Sequence, residues 1–386
     1  MTQQRTVDVL VIGATIAGLT TAVAAAAAGA AVLVIDPGEI TRFGTGLVTV
    51  AMGSTLREVE LSRGIPAAET MVAEVTRATD WLGDTLPLYG AQLVDRTAYS
   101  LAVDGHLAFH LRQEARLLRR AGVTVDFTDG QPLAPLVTRP GIVLPNQAQV
   151  EPRRHRHALG AAAVAAGVEV VRGVTLGRFV PGRGWSVSYQ HSSGPVTVTS
   201  PTVIDTIGSA PWGPVAGRVG TTLRVCPVVQ VAAGFFPPDI HVLVDTPAAM
   251  VTTLRQHTVL VGHPVALNDE HAATVDLVAL AGRLGLTVTG VRARHVELTA
   301  DHLPRVGRVP LLDGAWLARG FGMWETTLAT AAGLQLGAAV TGTSDALPWT
   351  PVRLPAPLAA YRQWTGENSD PMVDVPGILK RRGLSS

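Results

Sequence analysis

The sequence predicts an α/β fold organised around a parallel sheet covered on both faces, and three observations lead to it. A 27-residue stretch without a charge, Val9 to Ile35, divides by periodicity into strand, glycine turn, helix and strand. A second strand and glycine turn precede a second helix near residue 325. Charged residues are only 16% of the 386, against a typical ~25%, while hydrophobic residues at 47% are ordinary. That length suits two domains, or one large domain with an intimate second lobe.

The first element, Val7 to Ile12, is short and β-branched; Gly13 to Gly18 (GATIAG) is a glycine-bounded turn. Leu19 to Ala28 is Ala-rich and helix-favouring until Gly29, and Ala31 to Ile35 is a second strand ending in Asp36-Pro37-Gly38. By length alone the stretch would pass for a membrane span. Parallel strands buried on both faces explain its missing charges without a bilayer. Arg5 and Asp8 precede it in place of a basic leader, so neither a signal peptide nor a membrane partner is expected.

The pattern suits a dinucleotide. Gly13 permits the tight turn, the helix starting at Ile16 and Ala17 aims free N–H groups at a diphosphate, and Gly18 lets helix and strand approach. Asp36, 23 residues beyond Gly13, stands where a carboxylate accepts ribose hydroxyls. The middle glycine of GxGxxG is Thr15 here. Its Cβ could push the phosphates away, or its hydroxyl could donate to them.

Composition narrows the function classes. With 31 Lys+Arg against 30 Asp+Glu, the net charge is +1 and no basic stripe runs along the chain, so nucleic acid is not an expected partner. Cys226 is the only cysteine. It excludes an internal disulfide and any multi-cysteine metal or cluster site, no metal is expected, and a cytoplasmic location is the economical reading.

The N-terminal unit resembles the FAD-binding start of the D-amino-acid oxidase-like (DAO) superfamily, which includes glycine oxidase and sarcosine oxidase. Its closing unit is matched by Asp301 to Gly307 (DHLPRVG), Ala315 to Trp324 (AWLARGFGMW) and Thr330 to Gly333 (TAAG). Thr41 to Thr49 resembles the loop along the flavin, carrying Thr45 and Gly46; Leu144 to Pro152 resembles the lead into the second central helix. Gly173-Val174 resembles the adenine-contacting strand, and Ile204 to Gly208, with Thr206 and Gly208, the strand end near the diphosphate. The resemblance covers roughly residues 7 to 345 and is nearest to the branch often fused to a Rieske domain, which is absent here.

It implies a Rossmann-like FAD-binding domain of glutathione-reductase type, formed by 1–80, 141–211 and 296–345. A β-rich substrate domain, 81–140 and 212–295, is inserted, and 346–386 is a tail. The flavin end would lie on Gly320, Phe321, Gly322, Met323 and Trp324, before a helix from about Glu325 through Val340. Its N-terminus would place positive potential where reduced flavin is negative. FAD would be bound non-covalently.

Between these anchors, a helix from Leu107 to Ala121 carries Arg112, Arg116, Arg119 and Arg120, read as a solvated face. Residues 212–295 read as strands Val225 to Phe236, Ile240 to Asp245, Ala249 to Leu254 and Thr258 to Pro264, then a helix Val275 to Leu284.

The implied reaction oxidises a C–N bond of an amine or amino-acid-like substrate by hydride transfer, with oxygen or another acceptor taking the electrons. An amino acid calls for an arginine, whose planar fork pairs a carboxylate. In the glycine-oxidase branch it precedes the closing Asp by five positions, and here that position is Val296. Arg255 is the best replacement, its bland alternative being a structural arginine at a strand end; Arg292 and Arg294 are weaker. His257 and His263 could serve as base or oxygen-activating cation, or be ordinary turn histidines. Trp324 could wall the site, and Glu325 could cap its helix or meet a cationic amine. His155 and His157 read as a surface cluster. Two other readings stay open: an FAD-dependent monooxygenase, and a flavoprotein-like binding or partner subunit without catalysis.

Overall fold

The computed structural model describes residues 2–38, 45–52, 55–128, 133, 136–212, 221–232, 238–254, 257–299, 301–344 and 349. The uncharged stretch folds as read: strand Val9–Ile12, helix Ile16–Ala27 and strand Val32–Asp36. Both strands are buried at every position, which is why they carry no charge before Asp36. Among the described residues no helix is long and apolar enough to cross a membrane.

These strands sit in a six-stranded sheet with spatial order Arg305–Arg308, Ala315–Arg319, Thr202–Asp205, Val9–Ile12, Val32–Asp36, Glu169–Arg172. All neighbours are parallel except the first pair. Alternation divides the side chains between two cores. Val9, Val11, Val34 and Ile204 face a helical layer, whereas Leu10, Ile12, Leu33 and Ile35 face a four-stranded sheet. That second sheet, Gln3–Thr6, Gly194–Ser200, Gly184–His191 and Thr175–Gly182 in spatial order, is not anticipated by the sequence analysis.

The helical layer pairs Ile16–Ala27 with Glu325–Val340, the latter with the bounds expected. Small residues allow a close approach: a Cβ on Gly333 would lie 2.6 Å from the Thr20 Cβ and 2.8 Å from the Ala17 carbonyl oxygen. The first helix is thereby packed against the middle of the last.

A larger mixed sheet runs Val288–Thr299, Thr221–Ala232, His257–Gly262, Ala248–Leu254, Ile240–Leu243, Val94–Leu101, Gly141–Gln149, Leu47–Val48, with Asp126–Thr128 also on Gly141–Gln149. Helix Glu270–Arg283 covers one face, packing Leu277, Leu280 and Ala281 on Val229, Val231, Val251 and Leu260. It starts a turn and a half before the expected Val275. The strand Val288–Thr299, unforeseen because its outer half is polar and exposed, completes that edge. Apart from Trp349 and the residues up to 344, the C-terminal segment lies outside the described residues.

The arginines of helix Gly105–Arg120 are exposed, as read, but its inner face holds an unanticipated carboxyl group. Glu114, 2% exposed, accepts hydrogen bonds from the backbone N–H of Leu56 (3.2 Å) and Arg57 (2.8 Å) at the start of helix Thr55–Arg63. Burial pushes this carboxyl well above its usual range, outweighing those donors. The folded chain therefore holds the proton more tightly than the unfolded one, and stability falls as pH rises from about 4.5. Glu114→Gln, which keeps one acceptor, should remove that slope in urea titrations, whereas Glu114→Ala should cost about 2 kcal/mol.

Candidate active site

Three parallel strands, Val9–Ile12, Thr202–Asp205 and Ala315–Arg319, end side by side, and each runs into a turn. Gly13 has φ +101°, and a Cβ there would lie 2.5 Å from Ile207 and 2.8 Å from the Thr206 hydroxyl. At Gly18 a Cβ would overlap the Gly13 carbonyl. Ile16 and Ala17, both buried, open the helix.

Thr15 is the N-cap of that helix. Its hydroxyl accepts from the Gly18 N–H (3.0 Å) and donates to Thr206 Oγ1 (2.9 Å), which in turn donates to the Ile12 carbonyl (2.9 Å). The hydroxyl is thus engaged within the protein, as in any Ser/Thr cap. Of the two possibilities for Thr15, donation to a phosphate is the one this relay disfavours.

The other end of the first turn carries the adenosine-type features. Asp36 is 6% exposed and pairs with Arg156 at 3.1 Å. The Gly173 N–H donates to the Asp36 carbonyl at 2.8 Å, bringing Val174 beside it. Asp205, fully buried, gathers the backbone N–H groups of Ile207, Gly208, Ser209 and Ala210 at 2.7–3.3 Å and so shapes the turn that carries Thr206 and Gly208.

The third turn brings Gly320 (φ +80°) and Gly322 (φ +56°) around Phe321, with the Gly322 N–H on the Glu297 carbonyl at 3.0 Å. Thr45 and Gly46 reach the same place: the Gly46 N–H donates to Thr326 Oγ1 (3.1 Å), and Thr45 Oγ1 lies 3.4 Å from the Met323 carbonyl. Trp324 is the N-cap of helix Glu325–Val340 but supplies no side-chain cap. Glu325 is buried and bonded to Arg294 (2.8 Å), an internal ion pair at the start of the helix.

Arg255 and the side chain of His257 lie outside the described residues. His263 is lowered to about 4 by burial, which opposes the role of an oxygen-activating cation at neutral pH. Arg292 is exposed near Gln230. Among the described residues no group of His, Cys, Asp or Glu could hold a metal ion. His155 corrects the surface reading: it is 1% exposed and lowered to about 4 by burial, while His157 is exposed. Val296 is 3% exposed within the core, and Cys226, its thiol pushed up to about 12 by burial, is inert.

Sequence reasoning passed over one pair. The Arg319 Nε lies 3.0 Å from Glu297 Oε2, and its Nη2 is also bonded to Glu297 Oε1. Both side chains line the space between the first and third turns. The signal was present: an arginine ending the apolar strand Ala315–Arg319 requires a buried acid within reach.

Comparison with known proteins agrees with this architecture. No curated protein sequence matches the chain. Among solved structures, glycine oxidase from Geobacillus kaustophilus is 18% identical with a TM-score of 0.69, covering 91% of this chain and 99% of its own. L-proline dehydrogenase from P. horikoshii is 15% identical (TM-score 0.68, 95% and 99% covered). Iminodiacetate oxidase from Chelativorans sp. BNC1 is 21% identical (0.67, 89% and 98%). At these identities the likeness is one of fold. The model of the FAD dependent oxidoreductase family DAO matches residues 8–339, and with it the three turns, the helix pair and the mixed sheets take their place: the chain belongs to the DAO family of FAD-dependent oxidoreductases.

Proposed function

We propose that this chain is a cytoplasmic flavoenzyme that oxidises a C–N bond of an amine or amino-acid-like substrate by hydride transfer, passing the electrons to oxygen or another acceptor. The observation that carries the reading is the convergence of two glycine turns, each opening a helix, at the C-terminal ends of parallel strands of one sheet. We read that sheet and its two covering layers as the glutathione-reductase-type Rossmann-like domain, and the large mixed sheet as the inserted substrate domain.

The frame fits FAD. Gly13, Gly320 and Gly322 hold positive φ beside the path, and neither Gly13 nor Gly320 has room for a Cβ. Asp36 and Val174 would meet the adenosine, the helix start at Ile16 and Ala17 the diphosphate with Thr206 and Gly208, and Thr45, Gly46 and the Gly320–Trp324 turn the flavin. Attachment would be non-covalent.

FAD, when bound, supplies the two-electron acceptor. The chain supplies orientation and charge. The start of helix Glu325–Val340 contributes positive potential, moderated by the Glu325 carboxylate, which Arg294 holds in place. That pair also commits Arg294, and Val296 offers no fork. With Arg294 engaged, a substrate carboxylate would either displace Glu325 or fall to Arg255, which lies outside the described residues, and we read amines without a carboxylate as the better substrates. Anaerobic mixing of the FAD-reconstituted chain with a panel of amines and matched amino acids should bleach the yellow flavin band, at least tenfold faster for the amines. Bleaching only in the presence of NADPH would indicate a monooxygenase instead. A partner subunit without catalysis is favoured by one observation, Arg319 between the turns, and would show no bleaching with any amine.

A further inference from the structure

Arg319 is the last residue of its strand, and its side chain lies across Gly208: a Cβ on Gly208 would overlap the guanidinium. Glu297 reaches it from strand Val288–Thr299, and the side chains are only 12% and 8% exposed. The cavity bounded by Thr15, Thr206, Glu297, Arg319, Gly320 and Glu325 has a volume of about 20 Å³. That is room for one water, where ligand pockets run to roughly 300–1,000 Å³. Thr15 and Glu325 narrow the same space, each held by a partner inside the protein.

We propose that the Arg319–Glu297 ion pair is a latch across the dinucleotide path, an internal occupant that must leave before a cofactor can run from the first glycine turn to the third. The proposal rests on the reading of that path given above. Two forces keep the latch shut. Opening it separates two opposite charges in a largely desolvated place, and that is costly. It also turns the Glu297 carboxylate toward an anionic diphosphate, where like charges repel. A small residue in place of Arg319, with a neutral one in place of Glu297, removes occupant and repulsion together.

The test compares the wild-type chain with R319A/E297Q, and with E297Q alone in case the double variant does not fold, thermal unfolding serving as the check. FAD is titrated into each cofactor-free chain by quenching of flavin fluorescence, and adenosine, which carries no phosphate and spans only the end at Asp36 and Val174, is titrated in parallel by calorimetry. The latch predicts FAD binding at least tenfold tighter in R319A/E297Q, a smaller gain in E297Q, and unchanged adenosine affinity. Unchanged or weaker FAD binding would overturn it, as would an equal gain for adenosine, which would mean general loosening. FAD binding by none of the chains would overturn both the latch and the flavoenzyme reading. Tighter FAD binding with no bleaching by any amine would leave the latch standing and remove only the proposed reaction.

Discussion

Replacing Asp205 by alanine should lower the unfolding free energy by about 4 kcal/mol, from charge-assisted hydrogen bonds worth about 1.5–3 kcal/mol each that overlap and do not add fully. Four backbone donors converge on this one buried carboxylate: Oδ1 accepts from Ile207, Gly208 and Ser209, and Oδ2 from Ala210. Burial raises its pKa and so offsets part of what those donors contribute to holding the charge. Asp205→Asn keeps the Oδ1 acceptor, loses the bond to Ala210, and should cost only about 1 kcal/mol. Urea denaturation of the two variants would measure the difference. Only the alanine variant should also lose FAD affinity, because Thr206 and Gly208 ride on the turn.

The second large effect is on acid stability. His155 and His241 are 1% and 0% exposed, and burial lowers each to about 4 from an ordinary 6.5; His263 moves the same way. Between those values the unfolded chain binds a proton that the folded chain refuses. The stability these histidines contribute is therefore complete above pH 6.5 and is lost as pH falls toward 4. At ~1.4 kcal/mol per pKa unit, His155 and His241 each withdraw about 3 kcal/mol, a large part of a typical ~5–15 kcal/mol total. Thermal melts from pH 7 to 4.5 should show a steep fall. His241→Phe would lessen it, since a phenyl ring keeps the stack on Tyr99 (5.3 Å, 9° between planes) and cannot titrate. An unchanged pH profile in that variant would count against the assignment.

The fold was readable wherever one local rule decided the outcome. Apolar runs ended by Gly13 and Asp36, or by Gly320 and Gly322, announce strand and turn whatever lies beyond them. The four-stranded sheet was not: Thr175–Gly182 leaves Arg178, Val180 and Pro181 exposed without a steady alternation, and its strand character rests on pairing with Gly184–His191. At the site, glycine positions could be read from the chain, but charge pairing could not. Nothing local to Glu325 says that Arg294, 31 positions away, will neutralise it. Nor does the sequence around His155 show that its helix turns that side chain inward while its neighbour His157 faces solvent.

The spatial order of the parallel sheet has a bearing on how the chain is made. The strand at Val9 pairs with the strand at Thr202, which pairs with the strand at Ala315. A ribosome therefore releases the first glycine turn some three hundred residues before its counterpart exists. Until then, helix Ile16–Ala27 has nothing to lay its Thr20 and Ala24 face against, since Gly333 and Gly337 are still to come. Closing contacts at such separation is slow, and the apolar strands stay open to wrong partners meanwhile. Truncation before residue 325 should yield an aggregating chain, even though every residue of the first dinucleotide motif is present.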